Sequence, residues 1–176
     1  KAASMMLAVC LSAGSAMGRQ YTVIDLGTLG GPTAGGHAVN DAGHAAGQST
    51  LATANVHGMF AAGATLADIV PLSGDDQCAA WGLDGTDSVI AVSYLLGGLS
   101  PRGVLWQNGI EQSLGSFVPR GMSNNGLMAG FVTLADADLG VVQHAASWTA
   151  GVVTDLGTLG GSTSFAAAVN GFGQVV

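Results

Sequence analysis

Positive charge is scarce in this chain. Four lysines and arginines stand against eleven acidic residues among 176, a formal net charge of −7. The only lysine is Lys1; the rest of the sequence has Arg19, Arg102 and Arg120. Binding nucleic acid through its phosphates needs a basic face, which three scattered arginines do not supply. An anionic membrane surface is disfavoured for the same reason. Cysteine occurs twice, as Cys10 and Cys78, and only Cys78 would survive removal of a leader, which excludes an intrachain disulfide. Aromatic residues make up 6% of the chain, too few for the girdles of a membrane β-barrel. Past residue 20 no uninterrupted apolar run approaches the roughly 18 residues of a membrane helix. Yet hydrophobic residues reach 48% and charged ones only 9%, so neither a disordered chain nor a coiled coil fits.

What the sequence has in abundance is glycine, 29 residues, and repetition. Asp-Leu-Gly-Thr-Leu-Gly-Gly occurs at Asp25–Gly31 and again at Asp155–Gly161. Ala38-Val39-Asn40 after the first copy matches Ala168-Val169-Asn170 after the second, and Met122-Ser123-Asn124-Asn125-Gly126 reads as the same segment between them. A second landmark, His57-Gly58-Met59-Phe60-Ala61, aligns with Arg102–Trp106 and with His144–Trp148. These spacings divide the chain into units of about 43 residues, a period typical of repeat architectures. Three complete units and part of a fourth result, at about 23–64, 65–109, 110–151 and 152–176.

Within a unit, short runs rich in Val, Leu and Ile alternate with Gly, Asn and Asp clusters, the pattern of strands and tight turns. The glycine content penalises helices. Four short antiparallel strands in about 43 residues is the size of a propeller blade. The expected fold is therefore all-β, a partial β-propeller, with a β-solenoid as the alternative.

The N-terminus reads as an address. Lys1, the apolar stretch Met5–Leu11 and the small residues Ser12–Gly18 have the layout of a secretory signal peptide. That assigns residues 1–18 to a leader truncated at its start and 19–176 to the β-repeat domain, in a secreted or cell-envelope protein. The repeats are expected to continue in remaining blades of the same chain beyond Val176, and no membrane insertion is expected after signal cleavage.

The glycine string, the following Ala-Val-Asn-x-x-Gly and a His-Ala-Phe-type segment ending at Trp resemble the bacterial extracellular HAF repeats. The resemblance covers Tyr21 to Val176. It is most specific at Tyr21–Gly31 and Val153–Val176, whereas Arg102 replaces the histidine in the middle unit and Asp68–Gly74 replaces the glycine string. It implies an exported, propeller-like repeat protein without an established activity.

Catalytic signatures are missing. The string is Gly-x-x-Gly-Gly without the lysine a phosphate loop requires, and no Gly-x-Ser-x-Gly elbow occurs. Gly30, Gly31, Gly160 and Gly161 read as turn and close-approach positions. Asp25 and Asp155, with Asp68 at the shared position, read as turn caps that accept backbone N–H groups. His57 and His144 occupy equivalent positions and read as structural residues whose rings bond a neighbouring strand or turn. Trp106 and Trp148 are likewise equivalent and read as packing between units. Two features stand apart. Asp136 and Asp138 are weak candidates for calcium, since a calcium loop wants more oxygen ligands. Trp81 breaks the tryptophan register and is the candidate platform for a ligand, a sugar ring in particular. No cofactor is expected. The function expected is a non-enzymatic scaffold that binds an unidentified extracellular ligand or surface glycan. The alternatives are a secreted polysaccharide hydrolase or lyase with its site in other blades, and a purely structural spacer.

Overall fold

The computed structural model describes residues 23–98, 100–136 and 138–176, so the expected leader lies outside them. The protein is all-β. Twelve strands form three four-stranded antiparallel sheets, and among the described residues there is no helix. The first sheet holds β1 (Ala34–Val39), β2 (Ala45–Thr50), β3 (Val56–Ala62) and β4 (Thr65–Ile69). The second holds β5 (Gln77–Leu83), β6 (Val89–Tyr94), β7 (Arg102–Gln107) and β8 (Ile110–Ser113). The third holds β9 (Phe117–Met122), β10 (Met128–Asp136), β11 (Gly140–Thr149) and β12 (Val152–Gly157). In every sheet the strands pair in chain order, a simple meander. Residues 166–176 add the beginning of a further hairpin, with Val169 bridged to Val175.

The sheets do not share the boundaries of the sequence units. The segments holding Asp68, Ser113 and Asp155, which open a unit in sequence, lie in or at the end of β4, β8 and β12 and so finish the preceding sheet. Each sheet therefore takes three strands from one unit and its last from the next.

One turn recurs four times. Gly43, Asp87, Gly126 and Gly173 donate their N–H to the carbonyls of Asn40, Asp84, Ser123 and Asn170, at 2.9–3.3 Å. All four donors have positive φ, between 67° and 81°, as a type I turn followed by a left-handed residue requires. The side chains of Asn40, Asp84 and Asn170 reinforce the turn by accepting N–H groups two and four residues on. Neighbouring turns are also tied together. Asn40 Nδ2 donates to Asp84 O at 3.0 Å and to Asp87 Oδ1 at 2.8 Å. Gly85 N donates to Asn124 Oδ1 at 2.9 Å, and Asn125 Nδ2 to Gly171 O at 3.4 Å.

Strand alternation explains the packing. In β6 and β7, Val89, Ala91, Val104 and Trp106 face the first sheet, where they join Ala46, Phe60 and Ile69 in one buried cluster. The intervening Ile90 and Leu105 face the third sheet and join Phe117, Met128, Ala146 and Trp148 in another. Successive side chains point to opposite faces of a strand, so a sheet covered on both sides reads as an unbroken apolar run. Three or more strands need an apolar face to bury before they are stable, and face-to-face packing of these two clusters buries it. The last strands of the second and third sheets are exposed along most of their length, β12 almost throughout, whereas β4 ends on the buried Ile69.

Candidate functional site

Each first strand carries a bulge at the same place. The pairing of β1 with β2 skips between Gly36 and Ala38, that of β5 with β6 between Ala80 and Gly82, and that of β9 with β10 across Pro119 and Gly121. The residues set aside are His37, Trp81 and Arg120, each three positions before its turn residue. In the partial fourth hairpin, Ala167 and Ala168 both donate to the carbonyl of Val176, at 2.6 and 3.2 Å, the geometry of the same bulge around Ala167. A bulge re-aims the side chain of its extra residue, and His37, Trp81 and Arg120 are all exposed.

These side chains form a continuous strip. His37 stacks on Trp81 with ring centroids 4.5 Å apart and planes 9° from parallel. Its Nδ1–H donates to Ala80 O at 2.7 Å, which leaves Nε2 free to accept. Trp81 is 43% exposed. Beyond it, Trp81, Tyr94, Arg120, Phe131 and Gln48 line a cavity of about 280 Å³. The Arg120 guanidinium lies 5.6 Å from the Phe131 ring centroid, and among the described residues it is the only charged group on the cavity wall. An aromatic platform beside a cation and an amide suits a sugar ring, whose C–H face stacks while its hydroxyls or carboxylate take the polar groups.

The remaining sequence candidates fall elsewhere. His57 Nδ1–H donates to Asp68 at 2.8 Å and His144 Nδ1–H to Asp155 at 3.0 Å, each pair bridging β3 to β4 or β11 to β12. Asp25 and Asp155 also accept the N–H of Gly27 and Gly157, at 2.9 and 2.7 Å. The Asp155 carboxyl is held below the usual carboxylate range by the Gly157 N–H and then by His144. The middle sheet changes both partners. Ser113 keeps the turn bond, to Gly115 N at 3.2 Å, while Arg102 swings to Asp75 at 2.8 Å and to the carbonyl of Ser73.

In the glycine strings, Gly30 and Gly160 have φ of 99° and 95°. A Cβ on Gly31 would lie 2.4 Å from Thr50 O, whereas one on Gly161 would meet nothing nearer than 3.9 Å. Trp106 and Trp148 sit in the first and second buried clusters. Asp136 Oδ1 accepts the N–H groups of Leu139 and, less strongly, Asp138 in its own turn, which lowers its pKa. Nothing brings a third acid to Asp136 and Asp138, and among the described residues no three His, Cys, Asp or Glu converge. Cys78 is fully buried, and burial pushes its thiol pKa up to about 12. Among the described residues no helix is long and apolar enough to cross a membrane.

Sequence reasoning singled out Trp81 but missed its neighbours. His37, Trp81 and Arg120 precede Asn40, Asp84 and Ser123 by the same three residues, so the turn repeat marks all three positions once it serves as the ruler. Tyr94 and Phe131 carry no such mark, since strand pairing and sheet packing bring them to the cavity. The chain matches no protein-family model, no curated protein and no solved structure.

Proposed function

We propose that this chain is an exported, non-enzymatic recognition scaffold, part of a β-propeller whose innermost strands are β1, β5 and β9, and that it binds glycans at the Trp81 strip. One observation carries the reading. Three equivalent bulges in a repeated frame hold three unlike side chains, His37, Trp81 and Arg120, side by side and exposed. Together they set an imidazole, an indole and a guanidinium in one exposed row, groups that stack on a sugar ring and bond its polar substituents. The propeller reading draws support from the order of packing, in which β5 lies against β1, β2 and β3, and β9 against β5, β6 and β7. Export draws support from the leader-like sequence of residues 1–18.

A tryptophan fluorescence titration of the full chain with an oligogalacturonide and a cello-oligosaccharide, one acidic and one neutral, tests the reading. The expected result is a saturating change with at least one of them, lost in Trp81→Ala and weakened in Arg120→Ala. A flat titration with both, or a change that survives Trp81→Ala, overturns it. Release of new reducing ends during the titration would move the protein to the enzyme class.

A further inference from the structure

The two inter-sheet interfaces are built on one plan, but only the first is filled at its turn end. There His44 donates from Nδ1 to Asp87 at 2.8 Å, meets the edge of Phe60 at 5.8 Å, and Phe60 in turn contacts Trp106 at 5.2 Å. Turn and strand register fix the equivalents in the second interface. Ser88 stands for His44, Leu105 for Phe60, Gly126 for Asp87 and Trp148 for Trp106. Three of these four replacements are smaller, and the space they vacate is open: a cleft of about 410 Å³ lined by Asp84, Ser88, Leu105, Gln112, Gly126 and Trp148, among others. Its volume falls within the roughly 300–1,000 Å³ of small-molecule sites.

We propose that this cleft between the second and third sheets is a second binding site, for an uncharged, hydroxyl-rich ligand of about one hexose unit. Leu105 and Trp148 give it an apolar wall. The polar groups are ready to bond. Asp84 uses Oδ1 to hold its turn, at 2.8–2.9 Å from three donors; among the described residues no buried side-chain polar atom lacks a partner, so its other carboxylate oxygen is one that solvent reaches. Gln107 Nε2 donates to Ser88 Oγ at 2.9 Å and keeps its carbonyl free, and Gln112 is exposed at the rim. The lining holds one carboxylate and no cation, which selects against anions and separates this site from the Arg120 strip. The proposal does not rest on the glycan reading of that strip.

The first interface supplies its own test. Ser88→His combined with Gly126→Asp rebuilds the His44–Asp87 plug. Asp87 already occupies the equivalent backbone position at φ 67°, and a Cβ on Gly126 meets nothing within 4 Å. The full chain, isotopically labelled, is titrated with methyl glucoside, methyl mannoside and methyl galactoside while the Trp148 indole resonance is followed. At least one glycoside is expected to shift it with saturation near about 1 mM, an affinity of about 4 kcal/mol. The double variant should abolish the shift and Trp81→Ala should leave it intact. No shift with any of the three, a shift that survives the plug, or a shift lost with Trp81→Ala overturns the proposal. If the double variant fails to fold, Gln112→Leu, at the exposed rim, must weaken binding at least several-fold or the proposal falls.

Discussion

The two buried clusters predict that the sheets come apart separately, and Cys78 offers a way to watch them. Trp106 is 6% exposed and sits in the first cluster with Phe60 and Cys78. Truncating a buried Phe or Trp to Ala costs about 3–5 kcal/mol. Each 1.4 kcal/mol is a factor of ten in an equilibrium constant, so opening of the first interface should become more frequent by roughly two to nearly four orders of magnitude. In the native state the Cys78 thiol is inert twice over, being buried and having a pKa near 12, and only the thiolate reacts. With Cys10 replaced by Ser, the rate at which iodoacetamide labels Cys78 reports opening of that interface alone, provided opening and closing are fast relative to labelling. Trp106→Ala should accelerate labelling by the stated factor. Trp148→Ala, an equal truncation in the second cluster, should leave it unchanged, because Trp148 and Cys78 lie in different buried clusters. Equal acceleration by the two variants would refute the reasoning, since it would mean that all three sheets unfold as one body.

Three further outcomes follow from local geometry. Gly31→Ala should destabilise by about 1–3 kcal/mol because its Cβ meets the Thr50 carbonyl, while Gly161→Ala, with open space around it, should shift the thermal midpoint little; similar shifts for the two would contradict the close approach. Asp87→Gly relieves a left-handed backbone but removes the bonds to His44 and Asn40, so a net loss of no more than about 1 kcal/mol is expected in urea unfolding. The Asp87 carboxyl is lowered chiefly by its bond to His44; its contribution is therefore present above the ordinary carboxylate pKa and lost as pH falls through the lowered one, so wild type and Asp87→Gly should converge in acid. Restoring the missing cross-strand pair with Arg102→His and Ser113→Asp should cost more than the about 1 kcal/mol of an exposed pair, because it strips the cation from Asp75, whose side chain is only 9% exposed; an unchanged urea midpoint would show that the Arg102–Asp75 contact contributes nothing.

Much of the architecture can be read from the amino acids because it is written in local terms. The Asn-x-x-Gly turns, the short apolar runs and the doubled glycine string each act within a few residues, and they lead to four strands in about 43 residues before any packing is known. The handover of β4, β8 and β12 to the preceding sheet is hidden, since a strand's partner is decided by pairing and not by its place in a unit. Asp87 shows a second limit. It stands where the other turns have glycine, and the reason is a histidine 43 positions earlier on a neighbouring sheet. The bulges at His37, Trp81 and Arg120 are silent for the same cause: nothing in the three residues themselves announces that the ladder skips them. Trp81 stands apart in the sequence only by breaking the register of the other tryptophans, a mark that gives its position and not its contacts.

The offset between sequence unit and sheet bears on how such a chain can grow. A duplication that copies one unit from Asp to Gly never copies a finished sheet. The inserted segment surrenders its opening strand to the sheet before it and borrows a closing strand from the segment after it. Every insertion is thus stitched into both neighbours at birth, whereas the same segment excised as a gene fragment would lack its own last strand. A lone copy moved elsewhere in a genome would carry a three-stranded sheet with an unpaired edge, and an opening strand with nothing to join.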